Sequence, residues 1–255
     1  MVNKITRYIG RNGNNLLQIL STIYLIKKNN ILHHVLEIDS HPLFELKSSI
    51  IKKQDTNNSK YSQTILFNGE LLLKLSIDEL KNLFKEYVIY KNKIEKKIFD
   101  IGIHIRSGDI FENSPHELYF QPPLFFYKKI IDENIDKSIV IVFENKSNPI
   151  INILIDLYKN NKNIVFQSSS VYDDILTLSN SKILVFSVGT FPLIPYVISD
   201  SIEKIIYPDY LKNNNWFTII NNNAISIELP NYILKQWENT DSQKKHMINY
   251  NINML

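Results

Sequence analysis

The sequence predicts an α/β fold built on a parallel sheet, with two Rossmann-like lobes facing a cleft. Three observations predict it. Short β-branched runs alternate with helical segments at ~20-residue spacing through the second half of the 255 residues. A strand, a glycine-bearing loop, a helix and a strand form a βαβ unit near the start. The charged run Lys91–Lys97 offers a linker, dividing the chain into 1–95 and 96–255.

Element by element, Ile5–Ile9 reads as a strand that ends in the turn-rich Gly10-Arg11-Asn12-Gly13-Asn14. Leu16–Lys28 follows as a helix with Leu16, Leu17, Leu20, Ile23 and Tyr24 on its apolar face. Ile31–Ile38 is a second strand, Pro42–Lys47 opens another helix, and polar Gln54–Ser62 is a surface loop. Ile77–Lys97 carries helical periodicity.

The second half is clearer. Strands are expected at Phe99–Ile105, Ile139–Phe143, Ile164–Phe166, Ile183–Phe186 and Ile205–Tyr207. Ile139–Phe143 has no polar face, the pattern of a strand buried on both sides. Helices are expected at Pro122–Ile135, Pro149–Tyr158, Tyr172–Asn180 and Pro192–Ser199. The Asn runs 213–215 and 221–223 read as loops, and the tail after Gln236 as a docking helix or a partly disordered segment.

Composition narrows the function. With 44% hydrophobic and 22% charged residues the chain is globular. A net charge of +3 with scattered lysines gives no basic stripe, so a nucleic-acid partner is not expected. The absence of Cys excludes disulfides, thiolate zinc sites and thiol catalysis. No apolar run is long enough to span a membrane, and Met1–Gly10 has no signal-peptide core, so the cytoplasm is the expected location. There are 42 Ile, 31 Asn and 26 Lys but only three Arg and six Gly. In a chain this rich in Lys and Asn, Arg and Gly mark places with a specific physical need.

Those residues gather in glycine-bearing turns. His104-Ile105-Arg106-Ser107-Gly108-Asp109 leaves a strand at its carboxyl end, where ligands of parallel sheets bind. Arg106 is a planar donor fork suited to a diphosphate; the alternative is an Arg106–Asp109 pair that only holds the loop. Gly10 to Asn15 joins a strand to a helix N-terminus and makes either an anion cradle or a plain capped turn. Asp173-Asp174 opens a helix, and Ser187-Val188-Gly189-Thr190-Phe191 follows a strand; hydroxyls and free N–H groups there suit a phosphate or simply cap a helix. Tyr119–Tyr127 is an aromatic cluster, better explained as helix core than as a sugar platform. His33, His34 and His41 lack metal-ligand spacing.

Taken in order, these turns resemble the GDP-fucose-dependent fucosyltransferase superfamily, whose motifs are G-x-x-G-N-Q, H-x-R-R-G-D, and an Asp-led apolar helix and strand ending in a small-residue turn. The resemblance runs from residue 9 to about 200. Ser107 stands where the second Arg is usual, and Asn15 where Gln is usual. The resemblance implies a GT-B-like fold with an acceptor-side lobe at 1–95 and a donor-binding lobe at 96–255. It implies a nucleotide-sugar donor, a GDP-sugar favoured, as substrate, a glycan acceptor, and no cofactor or metal. Arg106 would contact the donor β-phosphate, and His104 with Asp174 or Asp173 would lie near base and ribose. Ser187, Gly189 and Thr190 would meet the diphosphate, and Arg11, Gly13 and Asn14 would line the cleft.

The expected chemistry is inverting, metal-independent transfer of fucose or a related sugar to a glycan hydroxyl, in polysaccharide or glycoconjugate synthesis. Arg106 and a helix N-terminus would stabilise the departing diphosphate. Asp109, Glu112, His116 and Glu117 follow the Arg loop as base candidates, with Asp109 ranked as basic or structural and Glu112 next. No Asp-x-Asp pair flanks these turns, which argues against a metal clamp. Membrane contact would be peripheral, through a lipid-linked acceptor. Two other classes stay open: a non-catalytic nucleotide-sugar-binding protein, and an unrelated Rossmann-like transferase such as a methyltransferase.

Overall fold

The computed structural model describes residues 2–5, 11–28, 35–38, 40–47, 75–91, 98–113, 115–213, 224–232 and 236–251. The expected loop at 54–62, the linker at 92–97, residues 6–9 and 31–34 of the first two expected strands, Gly10, and residues 214–215 and 221–223 of the Asn runs lie outside them.

An N-terminal βαβ unit is present, but its first strand is Val2–Ile5, which shares only Ile5 with the expected Ile5–Ile9. Strand β1 (Val2–Ile5) pairs in parallel with β2 (Val35–Ile38), with helix α1 (Asn12–Lys28) between them in the chain. Two expectations here need correction. Within 42–47, residues Phe44–Leu46 form a strand, β3, rather than a helix: Phe44 and Leu46 are buried and Glu45 is exposed. Helix α2 (Ile77–Tyr87) stops ten residues before Lys97. Its start is fixed by a capping box of Ser76 with Glu79. Its end is fixed because Val88–Tyr90 becomes strand β4, antiparallel to β3. β-branched and aromatic residues in that tripeptide favour the pleated state once a partner strand is available.

The second half follows the prediction closely. It runs β5 (Phe99–Ile105), α3 (Leu124–Asp132), β6 (Ile139–Phe143), α4 (Pro149–Tyr158), β7 (Ile164–Gln167), α5 (Val171–Ser179), β8 (Ser181–Val185), α6 (Leu193–Ile198) and β9 (Lys204–Pro208). A short strand not anticipated, β10 (Ala224–Ile227), completes the sheet, and α7 (Asp241–Asn249) is the docking helix of the tail.

The sheet has the order β10-β9-β8-β5-β6-β7, and all its pairings are parallel. Counted within the sheet, this is 3-2-1-4-5-6, the doubly wound Rossmann order. The chain therefore leaves β5 and β8, its central neighbours, toward opposite faces, and a crevice opens at their carboxyl ends.

Strand β6 shows how the sheet is held. Ile139, Ile141 and Phe143 belong to a core with α3, α4 and Met247 of α7. Val140 and Val142, alternating with them, belong to a core with α1, α2, α5 and α6. Period-two alternation thus feeds two layers of helices. Each fully buried Ile or Phe contributes roughly 1.5–3 kcal/mol. The α1–α2 side of the molecule shares one of these cores with the sheet, so the Arg11 turn is brought against the sheet's crevice.

Candidate functional site

The site grows from the end of β5. Ile105 is the last strand residue, and Arg106 is the first beyond it. The loop that follows is stitched to the loop after β6. Asn148 donates its side-chain amide to the Arg106 carbonyl at 3.0 Å. The buried Ser107 hydroxyl accepts the N–H groups of Glu144 and Asn145 at 3.2 and 3.1 Å. The Gly108 N–H donates to Ser147 at 2.7 Å. A short 3₁₀ turn, Gly108–Phe111, then carries Asp109 back toward the arginine.

Arg106 is only 11% exposed and pairs through Nη2 with Asp109 Oδ1 at 2.5 Å. Its guanidinium lies 5.9 Å from the Tyr119 ring centre, within cation–π range. Among the described residues its buried Nε has no hydrogen-bond partner. Buried polar atoms without a partner are rare in folded proteins, so the position of this guanidinium calls for more than loop packing. Arg11 closes the cluster from the other side. Its Nη1 donates to Glu144 Oε2 at 2.7 Å, and its Nε stands 3.5 Å from Asp109 Oδ2. Both Asp109 oxygens therefore face guanidinium groups.

Helix α1 points its N-terminus at the same place. Thr190, in the turn after β8, donates its hydroxyl to Asn14 Oδ1 at 2.7 Å. The first N–H groups of a helix have no intrahelical acceptor, and the dipole there is positive.

On the far side, buried His104 lies with Nδ1 3.0 Å from the Ser187 hydroxyl and its ring centre 5.0 Å from that of Phe191. Burial, reinforced by the Arg106 charge, lowers its pKa to about 3, so the imidazole is neutral at pH 7. Asp174, in the first turn of α5, accepts from Gln167 Nε2 at 2.9 Å and from the Ser169 N–H at 3.3 Å. Burial raises its pKa.

A cavity of about 630 Å³ joins these groups. Of the residues predicted from sequence, Arg106, Asp109, His104, Asp174, Gly189, Thr190, Arg11, Gly13 and Asn14 line it. His116 does too, stacked on Tyr119. Ser187 is fully buried behind His104 rather than in the lining. Asp173 is exposed and accepts from the Ser170 hydroxyl at the cap of α5. Glu112 is exposed beyond the 3₁₀ turn, outside the lining. The aromatic cluster divides: Phe126 and Tyr127 are core, whereas Tyr119 faces the cavity.

Glu144 was not singled out from sequence, although it lines the cavity and holds Arg11. Its signal was available: it follows a buried parallel strand directly, as Arg106 does. Two guanidiniums, a helix N-terminus and a hydroxyl-bearing turn suit a multiply charged anion, and the neutral imidazole and buried carboxylate suit a polar group beside it.

Among the described residues no helix is long and apolar enough to cross a membrane. No protein-family model and no curated protein matches the sequence. A solved structure described as POFUT1 in complex with GDP is similar over 81% of this chain and 97% of that chain, with 11% identity and a TM-score of 0.40.

Proposed function

We propose that this chain is a glycosyltransferase that moves a sugar from a nucleotide-sugar donor to a hydroxyl of a glycan acceptor. The observation that carries the reading is Arg106. It is nearly buried, stands at the carboxyl end of the central strand beside β8, lines a cavity faced by a helix N-terminus, and has a buried Nε without a hydrogen-bond partner among the described residues. A guanidinium so placed would receive the donor diphosphate and stabilise the charge that builds on it as the sugar departs. Arg11 and the first turn of α1 would share that charge. His104 and Asp174 would take the nucleoside side of the donor, with a GDP-sugar favoured and fucose or a related sugar transferred. Asp109 would orient both arginines.

The test is a thermal-shift panel of GDP-, UDP-, TDP- and CMP-sugars against S-adenosylmethionine. A rise in Tm with one nucleotide-sugar class and none with S-adenosylmethionine supports the reading. A rise with S-adenosylmethionine alone sinks it.

A further inference from the structure

Transfer to a hydroxyl needs an acceptor for the hydroxyl proton, and the carboxylates of the cavity are differently placed to serve. Asp109 has both oxygens turned to guanidiniums. Asp174 is buried on the α5 side, with one oxygen held by Gln167 and the Ser169 N–H. Glu144 is half-exposed, lines the cavity and engages Arg11 through Oε2 alone, while no hydrogen bond is seen to Oε1 among the described residues.

The position of Glu144 is also built. Its backbone N–H is held by Ser107 at 3.2 Å, and its carbonyl accepts the Ser168 hydroxyl at 2.8 Å. The carboxylate lies over Gly108, where a Cβ would come within 2.4 Å of Oε2. Gly108 at φ +77° is thus the floor on which this carboxylate rests. An ion pair as exposed as Arg11–Glu144 adds little to stability, so folding alone does not account for the arrangement.

Resting on the glycosyltransferase reading above, we propose that Glu144 is the general base. Its Oε1 takes the proton of the acceptor O–H. That oxygen forms the new bond to the anomeric carbon while the bond from that carbon to the diphosphate oxygen breaks. The diphosphate leaves with the electron pair toward Arg106. Arg11 holds the Glu144 carboxylate at the angle this requires.

Water can replace the glycan as acceptor, so release of GDP from GDP-fucose reads the step without a known acceptor; UDP-, TDP- and CMP-sugars are run beside it. Glu144→Gln should lower turnover ~10²–10⁴-fold, the usual worth of a general base. GDP affinity and Tm should stay close to native. Formate should raise the turnover of Glu144→Ala by supplying a carboxylate in the space left. Turnover by Glu144→Gln within threefold of native overturns the proposal, as does a Glu144→Ala enzyme that formate leaves unchanged. A loss confined to Asp174→Asn, at native GDP affinity, overturns it in favour of Asp174. A native chain that neither binds nor turns over any of the four donor classes overturns the glycosyltransferase reading itself.

Discussion

A Cβ atom on Gly13 would stand 2.4 Å from the carbonyl oxygen of Thr190. No real Cβ contact is that short, so the N-terminus of α1 reaches the turn after β8 only because residue 13 has no side chain. That approach carries Arg11 into the cavity and lets Asn14 accept the Thr190 hydroxyl. Gly13→Ala should therefore open the contact. We expect a loss of ~1–3 kcal/mol, as for other overpacked sites. Nucleotide affinity should fall in parallel, because the helix N-terminus withdraws from the anion corner. Thermal melts with and without ligand check both. An alanine variant with native Tm and affinity would contradict the close approach.

Gly108 makes a different demand. Its φ of +77° is left-handed, and the space above it is occupied by Glu144. An alanine there pays a backbone cost of ~1–2 kcal/mol and also pushes the carboxylate aside. Gly108→Asn should soften the backbone cost, since Asn tolerates this region, but not the collision. Both variants should lose turnover more than they lose GDP affinity, which GDP-release assays and calorimetry would separate, while chemical denaturation reads the backbone cost.

His104 gives the pH dependence a sign. Its folded pKa of about 3 lies below the ordinary value of 6.5. Between those values the unfolded chain binds a proton that the folded chain does not. Stability therefore rises with pH across that window and is lost on acidification from 6.5 toward 3. The limiting slope is roughly 1.4 kcal/mol per pH unit for one such histidine. His41, lowered to about 4 by burial and by Lys91, adds in the same direction. His104→Gln should be less stable than native at pH 7.5, yet lose less on going to pH 5. Denaturant titrations at the two pH values measure the difference. Equal slopes in the two proteins would contradict a buried neutral imidazole.

Much of this was legible in the sequence, and the residues that were not share a cause. The limits of β6 and α4 are those predicted, because an all-apolar pentapeptide and an Asn-Pro start leave little choice. Pro42–Lys47 reads as the opening of a helix, but Phe44–Leu46 is a strand because Val88–Tyr90, 44 residues away at its central pair, pairs with it. A tripeptide carries no period long enough to announce that. Residues of β10 likewise become a strand by lying beside β9. In the site, scarce residue types were the guide: Arg and Gly stood out against Lys and Asn. Glu144 had no such contrast, being one acidic residue among 26. Its placement depends on Ser107, Gly108 and Arg11, which only the fold brings to it.

The central claim is that the Arg106 fork binds a nucleotide-sugar diphosphate. Lys keeps the charge but loses the planar, multidentate donor geometry. Isothermal titration of GDP, with GDP-fucose and the UDP, TDP and CMP counterparts alongside, into native protein and Arg106→Lys tests it most directly. The prediction is measurable binding by the native chain and affinity weaker by ~10–100-fold in the variant, the equivalent of roughly 1.4–2.8 kcal/mol. Equal affinity in the two proteins would contradict it.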